Sequence, residues 1–247
     1  MKLLKKLLLW FAAVTVLAVA IISGWMYIPY PAQSDAIAQA LHSDEQVQVT
    51  DGKYLVFSPR DNTATRGLIF YPGGKTPPET FAPLLRQFAA AGLLVVAVPM
   101  PLNTAFLAVE EASAVIASFP DVTLWYLAGH SLGGVAAAMY VAGNPGTLAG
   151  LILWASYPAS DISDLPLATL SIYARNDLST TPADISQHQS WLPADSTLVE
   201  IEGNHWQFGH YSEEQNQQSL NISRHEQQEK VLSASLEFMG RAAQATP

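Results

Sequence analysis

Short apolar runs alternate with stretches of helical spacing along most of this sequence. Most of the runs are apolar throughout rather than at every second residue, which is typical of strands covered on both faces. Such runs, separated by helices, predict an α/β fold with a mostly parallel central sheet and helices on both sides. The predicted strands are 47–49, 54–57, 67–71, 93–98, 122–128, 148–155, 168–174 and 197–201, and the predicted helices are 35–41, 79–91, 104–119, 132–142, 182–191 and 224–243. The first two strands should form a hairpin around Asp51-Gly52, a favourable turn pair.

The first 28 residues form a separate, strongly apolar segment. Lysines at positions 2, 5 and 6 precede 22 residues, 7–28, that carry no charge. A helix of that length spans about 33 Å, enough for a hydrocarbon core of about 30 Å. Both a cleaved signal peptide, with Ala18-Val19-Ala20 as its small-residue site, and an uncleaved signal-anchor fit this pattern. We favour the anchor because the apolar run continues past Ala20, beyond the roughly 7–15 residues of a signal peptide.

The residues at the two ends of this segment predict its orientation. Trp25, Tyr27 and Tyr30 fit an aromatic belt at one interface, and the three lysines should stay in the cytoplasm. We therefore expect a single-pass membrane protein with a cytoplasmic N-terminus and the rest of the chain on the outer side, periplasmic or extracellular. The expected organisation is a transmembrane signal-anchor over 1–28, a linker over 29–46 and an α/β domain over 47–247.

The composition excludes several classes of function. The formal net charge is −9, and apart from the three N-terminal lysines the chain has nine basic and 21 acidic residues, a charge of −12. A domain this acidic does not suit nucleic acid or an anionic membrane surface. The absence of cysteine rules out disulfides, thiolate nucleophiles and cysteine metal sites. The sequence leaves the oligomeric state open.

A serine between two glycines stands where a predicted strand turns into a predicted helix. The segment reads Gly129-His130-Ser131-Leu132-Gly133, between strand 122–128 and helix 132–142. A serine nucleophile on such a tight turn needs glycines two residues away on each side, because side chains there would collide with the neighbouring strand or helix. Ser131 is therefore the expected nucleophile, and His130 should pack or hydrogen-bond beside it.

A serine nucleophile needs a histidine base and an acid to orient that base, and both occur later in the chain in the order Ser…Asp…His. Asp177 follows strand 168–174 and His205 follows strand 197–201, so both should lie at the same sheet edge as Ser131. We expect Asp177 to hold the imidazole of His205, which would take the proton of Ser131. The main rival base is His210, in the same loop, and the rival acids are Asp161 and Asp164.

An oxyanion hole needs two backbone N–H donors near the nucleophile. Leu132, directly after the serine, should supply one, and the loop after strand 67–71 should supply the other. That loop contains Pro72-Gly73-Gly74-Lys75, and glycine lets the backbone approach a substrate closely. Gly74 is the expected second donor, with Lys75 as the alternative.

From about residue 47 to its end the sequence resembles the α/β-hydrolase superfamily, in its dienelactone-hydrolase-like branch of small members without a lid. The resemblance rests on the segments GLIFYPGGK, VVAVPMPL, AGHSLGG, LWASYPA, SIYARNDLSTTP and EGNHWQFGHY. It implies the α/β-hydrolase fold, hydrolase chemistry and a catalytic triad of Ser131, Asp177 and His205.

One departure from many members of that superfamily concerns the cap inserted before the triad acid. Only 46 positions separate Ser131 from Asp177, too few for a large cap domain. We expect an open pocket, or one covered by short loops. The candidate loops are 101–106, 157–166 and 206–211.

These features predict a serine hydrolase that cleaves a carboxylic ester, or a related acyl compound, through an acyl-enzyme. The expected partners are a small-molecule acyl substrate and, through the N-terminal helix, a membrane. No H-E-x-x-H, Walker A or G-x-G-x-x-G motif occurs, so we expect neither a metal nor a cofactor. A serine at the turn disfavours epoxide hydrolase and haloalkane dehalogenase chemistry, which need an aspartate there. The alternative is a non-catalytic, membrane-tethered binding or scaffold domain with the same fold.

Overall fold

The computed structural model describes residues 2–61, 64–216, 218 and 220–245. Eight strands form a single sheet, and seven α-helices accompany them in the described part of the chain. The strands are β1 (Val47–Asp51), β2 (Leu55–Pro59), β3 (Arg66–Tyr71), β4 (Leu94–Ala97), β5 (Leu124–His130), β6 (Gly150–Trp154), β7 (Thr169–Ala174) and β8 (Ser196–Ile201). The helices are α1 (Lys2–Tyr27), α2 (Ser34–Ala40), α3 (Ala82–Ala90), α4 (Glu111–Ser118), α5 (Leu132–Gly143), α6 (Pro182–His188) and α7 (Arg224–Ala245).

The strand order in the sheet is β1-β2-β4-β3-β5-β6-β7-β8. Strands β3 to β8 run parallel, whereas β1 and β2 form an antiparallel hairpin in which Asp51 pairs with Leu55. The predicted hairpin and the mostly parallel sheet are thus confirmed. Since the strands that precede Ser131, Asp177 and His205 are parallel, their carboxyl ends share one edge of the sheet.

Apolar side chains of the central strands pack into two layers, one on each face of the sheet. Leu68 and Phe70 of β3 belong to the layer that includes residues of α3 and α7. Ile69 and Tyr71 of the same strand belong to the opposite layer, with residues of α4 and α5. This explains why the strands read as continuous apolar runs: both faces are covered.

The predicted helix over 104–119 is wrong in its first half. Only Glu111–Ser118 is α-helical, and short 3₁₀ turns occupy Pro101–Asn103 and Ala105–Leu107. The hydroxyl of Tyr71 accepts a 2.8 Å hydrogen bond from the amide of Ala112 and donates a 2.7 Å bond to the carbonyl of Val109. The Tyr71 side chain of β3 therefore binds backbone groups that would bond to one another's turns in a continuous helix, and the α-helix begins only at Glu111.

Helix α1 lies outside the two-layered domain. Its residues Leu3–Tyr27 form a 25-residue span that is long and apolar enough to cross a membrane, and none of this span is buried. The following segment, predicted as a linker, contains α2, whose Ala40 is buried in the core layer on the α3 side. No helix or strand occurs in residues 155–168, all of which are described, so nothing resembling a cap domain lies between β6 and β7.

Candidate active site

Ser131 occupies a strained turn between β5 and α5. Its backbone angles are φ 52° and ψ −124°, a conformation that costs a residue with a side chain of order 1–3 kcal/mol. A Cβ atom at Gly129 would lie 2.4 Å from the carbonyl oxygen of Gly133, and one at Gly133 would lie 2.1 Å from the carbonyl oxygen of Tyr71. The two glycines thus allow the strand, the turn and the helix to cross at distances that a larger residue would prevent.

The neighbouring strand β6 fixes the backbone of Ser131. The Ser131 amide donates to the carbonyl of Trp154 at 3.0 Å, and the Ser156 hydroxyl donates to the carbonyl of Ser131 at 2.7 Å. These bonds hold the strained turn in place at the sheet edge, where Ser131 is partly exposed.

Asp177 and His205 form a buried pair at the same edge. The Nδ1 atom of His205 lies 2.8 Å from Oδ2 of Asp177, and both residues are almost fully buried. The other carboxylate oxygen accepts 2.7 Å bonds from the amides of Ser179 and Thr180. The carboxylate is therefore held at three points and can fix both the orientation and the tautomer of the imidazole.

Helix α7 positions the loop that carries His205. The Gln227 side chain accepts from the amide of Asn204 and donates to its carbonyl, both at 2.9 Å. Gly203 has φ 130°, and a Cβ there would lie 1.7 Å from Gln227 Oε1, so only glycine fits beside that side chain. The position of His205 thus depends on a residue 22 positions further along the chain.

Ser131 and His205 line one cavity of about 210 Å³. Among the described residues no hydrogen bond joins Ser131 Oγ to His205, a contact that in unliganded sites often tightens only with substrate. The structure therefore brings the three predicted catalytic residues to one edge of the sheet: His205 contacts Asp177 and lines the same cavity as Ser131.

The two expected oxyanion donors lie beside the serine. A Cβ at Gly73 would be 3.5 Å from Ser131 Cβ, and one at Gly74 would be 2.7 Å from Leu132 Cδ1, so this loop runs past the turn. Leu132 is the first residue of α5, where amides have no partner within the helix. The alternative donor is already engaged, because the Lys75 amide donates to the carbonyl of Asn103 at 2.8 Å. This geometry favours Gly74 over Lys75.

His130 packs against His205, the expected base. Its ring centre is 4.6 Å from that of His205, and both of its buried ring nitrogens lack a hydrogen-bond partner in the described structure. Burial, and after it the charge of His205, lowers the pKa of His130 well below the ordinary histidine value. A neutral ring at this position would add no positive charge next to His205.

The rival residues lie elsewhere. His210 does not line the cavity; its Nε2 contacts Gln228 at 3.2 Å, and burial lowers its pKa to about 4. Asp161 is exposed and accepts from the amide of Ser163, and Asp164 is exposed as well. The carboxylate that meets His205 is Asp177.

Several residues that line the cavity were not expected from the sequence. Trp25, Met26 and Tyr30, from the end of α1 and the segment after it, form part of the wall. Of the three candidate covering loops, only 206–211 contributes to the lining, through Trp206 and Tyr211. The aromatic residues at 25–30 indicated a membrane interface in the sequence, but no sequence pattern indicated that they would lie beside the expected catalytic residues.

Comparison with known families finds a match to this chain. A model of the alpha/beta hydrolase family matches residues 67–229, from β3 to the first turns of α7 and roughly two thirds of the chain. No curated protein matches the sequence. The matched region contains Ser131, Asp177, His205 and both expected oxyanion donors.

Proposed function

This chain belongs to the alpha/beta hydrolase family, and we propose that it is a serine hydrolase cleaving a carboxylic ester through an acyl-enzyme. The observation that carries the proposal is the Asp177–His205 hydrogen bond beside a cavity that His205 shares with the strained Ser131. A scaffold domain would have no need of a buried carboxylate held at three points next to an imidazole. Thioesters, lactones and amides are the related acyl substrates that the same chemistry would accept.

In the proposed mechanism, Ser131 Oγ attacks the ester carbonyl carbon while His205 Nε2 takes the hydroxyl proton. The negative charge on the carbonyl oxygen is stabilised by the amides of Gly74 and Leu132. The bond to the alkoxy oxygen breaks as His205 returns its proton to the leaving alcohol. Water then attacks the acyl carbon and gives a proton to His205, which passes to Ser131 Oγ as the carboxylic acid leaves.

The fluorophosphonate reaction tests this proposal most directly. Such a probe should label the full-length protein at Ser131, and mass spectrometry of the labelled peptide should exclude Ser179, which also lines the cavity. Ser131→Ala should abolish labelling and lower the rate on p-nitrophenyl esters by about 10⁴–10⁶-fold, since triad members act as a unit. A folded wild-type protein that takes no label would favour the scaffold alternative.

We also propose the finer classification and location. With only residues 155–168 between β6 and β7, the chain is most like the small, lidless, dienelactone-hydrolase-like members. The length of the apolar run favours α1 as a retained anchor. The N-terminal lysines favour a cytoplasmic N-terminus, which would place the domain on the outer side of the membrane. Its acidic surface argues against nucleic acid as a partner.

A further inference from the structure

The end of the apolar helix α1 forms part of the wall of the candidate active site. Trp25 and Met26, in the last turn of α1, line the same cavity as Ser131 and His205. The rest of α1 projects away from the domain with its side chains exposed. An anchor that only tethered the domain would not need to contact the catalytic cavity.

Side chains of the domain hold this last turn in place. The Nδ2 atom of Asn103 lies 3.2 Å from the carbonyl oxygen of Met26 and 3.0 Å from that of Tyr27. These are among the last carbonyls of α1, which have no partner within the helix. Lys75 Nζ lies 3.9 Å from the centre of the Trp25 ring, a cation–π contact.

The segment after α1 is equally fixed. The Tyr30 amide donates to the carbonyl of Lys75 at 2.8 Å, next to the expected oxyanion donor Gly74. The Gln33 amide donates to the carbonyl of His210 at 2.8 Å, in the loop that follows His205. The chain leaving α1 therefore runs between the oxyanion loop and the histidine loop, which sets the distance from the helix to the cavity.

Exposed apolar side chains continue from α1 onto the same edge of the domain. They lie after β4, β5 and β7, whose carboxyl ends form that edge, and they are Leu102, Phe106, Leu107, Leu132 and Leu178. Leu102 and Asn103 both have φ 51°, and a leucine with positive φ is uncommon. The strained turn thus presents Leu102 to the outside and Asn103 to the end of α1.

With α1 across a membrane, the position of Trp25 would put this edge of the domain at the membrane surface. Leu3–Tyr27 spans about 37 Å as a helix, so when its middle lies in the hydrocarbon core its last turn reaches the headgroup region. Tryptophan and tyrosine favour this region. The exposed apolar residues at the cavity edge would then face lipid rather than water.

We propose that the cavity opens onto the bilayer surface and that the substrate is an amphipathic ester resident in the membrane, its acyl chain directed towards α1. This inference rests on the proposed hydrolase function. The cavity, at about 210 Å³, is smaller than the roughly 300–1,000 Å³ of sites that enclose a whole ligand, so it holds the ester group and little else. The remainder of a long-chain substrate stays in the lipid beside α1.

The docking part of the proposal has a test that needs no catalysis. The chain contains no cysteine, so Leu107→Cys and Met139→Cys each carry one environment-sensitive fluorophore on an exposed apolar position. Met139 is the control, because it lies about 12 Å along α5 from Ser131, away from the edge. In phospholipid vesicles, a lipid-borne quencher should quench the label at position 107 and leave that at 139 unchanged. Equal quenching at both positions, no quenching at 107, or an intact mass showing that α1 has been removed would overturn the proposal.

The substrate part is tested by comparing two esters with the full-length protein in vesicles. Aspartate has the shape of asparagine and also tolerates a positive φ, so Asn103→Asp should leave the backbone of this turn unchanged. The substitution replaces the amide group that donates to the last carbonyls of α1 by a carboxylate, which cannot donate. It should slow hydrolysis of a diacylglycerol in the bilayer about tenfold or more while changing p-nitrophenyl acetate hydrolysis less than about threefold. The Asn103 side chain contacts the end of α1 and none of the proposed catalytic groups, whereas only the bilayer ester depends on where α1 places the lipid. Asn144→Asp, which alters an asparagine that contacts a carbonyl at the end of α5, is the control.

The outcomes separate this inference from the proposed function. Equal losses on the two esters would assign α1 a purely stabilising role and overturn the substrate inference. A wild-type protein that hydrolyses the soluble ester but not the bilayer ester would overturn it too. If neither ester is hydrolysed, the proposed function fails, and with it the assignment of a lipid ester, whereas quenching at position 107 would still establish the docking geometry.

Discussion

The carboxylate of Asp177 is the most tightly specified group at the candidate site. Two amides bind one oxygen, so the other oxygen is directed at Nδ1 of His205. The imidazole must then carry its proton on Nδ1, which leaves Nε2 free to accept the proton of Ser131. The Asp177 side chain therefore sets the tautomer of the proposed base, His205.

Asp177→Asn should preserve the fold and lower kcat on a p-nitrophenyl ester by about 10³–10⁴-fold. The amide oxygen can still accept from Ser179 and Thr180, but the NH₂ group then faces Nδ1 and forces the proton onto Nε2. The measurement is kcat beside a thermal unfolding curve. Asp161→Asn, in an exposed turn, is the matched control. Activity close to that of the wild type in Asp177→Asn would reject Asp177 as the orienting acid.

The close packing of strand β3 against helix α5 depends on Gly133, which has no side chain. Gly133 lies in the first turn of α5, where a Cβ would clash with the carbonyl oxygens of Tyr71 and Pro72 at 2.1 and 2.4 Å. Both obstacles are backbone atoms at the end of a central strand, so they cannot move aside as a flexible side chain would. Close packing here is what brings the loop containing Gly74 to Ser131.

Gly133→Ala should lower the free energy of unfolding by about 3 kcal/mol or more, because α5 must shift away from β3. Gly240→Ala is the matched control in helix α7, where a Cβ would meet nothing within 4 Å. That variant should raise the free energy of unfolding by about 0.5–1 kcal/mol through helix propensity. Urea unfolding of both proteins measures the difference, and a Gly133→Ala protein as stable as the wild type would contradict the packing argument.

The loop after β8 packs on α7 through a histidine that is held neutral. Burial, followed by the charge of Arg224, lowers the pKa of His210 from 6.5 to about 4. Between these two values the unfolded chain binds a proton that the folded chain does not, so the free energy of unfolding falls as the pH drops through this window. The lowered pKa of buried His130 acts in the same direction.

His210→Gln should reduce the loss of stability between pH 7 and pH 4 by about 1–2 kcal/mol, after allowance for partial solvent exposure. The measurement is urea unfolding of the full chain in detergent at several pH values. His225→Gln, which replaces an exposed histidine of α7, serves as the comparison. If the wild type and His210→Gln lose stability equally on acidification, His210 is not responsible for the effect.

The whole molecule combines an acidic α/β domain with one long apolar helix ending at its candidate active site. The orientation of such a chain in a membrane depends mainly on the lysines and arginines in the short segment before the apolar helix. Three lysines precede the apolar segment, and no acidic residue accompanies them. We therefore expect the domain and the N-terminus on opposite sides of the membrane.

Single cysteines in this cysteine-free chain test the orientation. In spheroplasts, a membrane-impermeant maleimide should label Thr147→Cys, on the exposed loop after α5, and should label Leu4→Cys only after the membrane is permeabilised. The physical reason is that the lysines keep residue 4 on the cytoplasmic side. The reverse labelling pattern would show that the domain is cytoplasmic.

Local patterns in the sequence determined the order of strands and helices, the hairpin around Asp51-Gly52 and the apolar span at the N-terminus. These patterns were sufficient because each depends on residues close together in the chain. The hydrophobic period predicts strands and helices, the turn residues predict the hairpin, and the length of the apolar run predicts the span. The same kind of pattern pointed to Ser131, with its glycines, as the residue between a strand and a helix.

Only the tertiary structure decided which backbone groups already have hydrogen-bond partners and which helices and loops contact one another. The hydroxyl of Tyr71 binds the backbone where a continuous helix over 104–119 was predicted. The carbonyl of Asn103 accepts the hydrogen bond of the Lys75 amide, which is then not free to bind an oxyanion. The last turn of α1 became a wall of the cavity through contacts with residues about 50–80 positions away. No local period encodes such contacts, because they depend on where the sheet places distant loops.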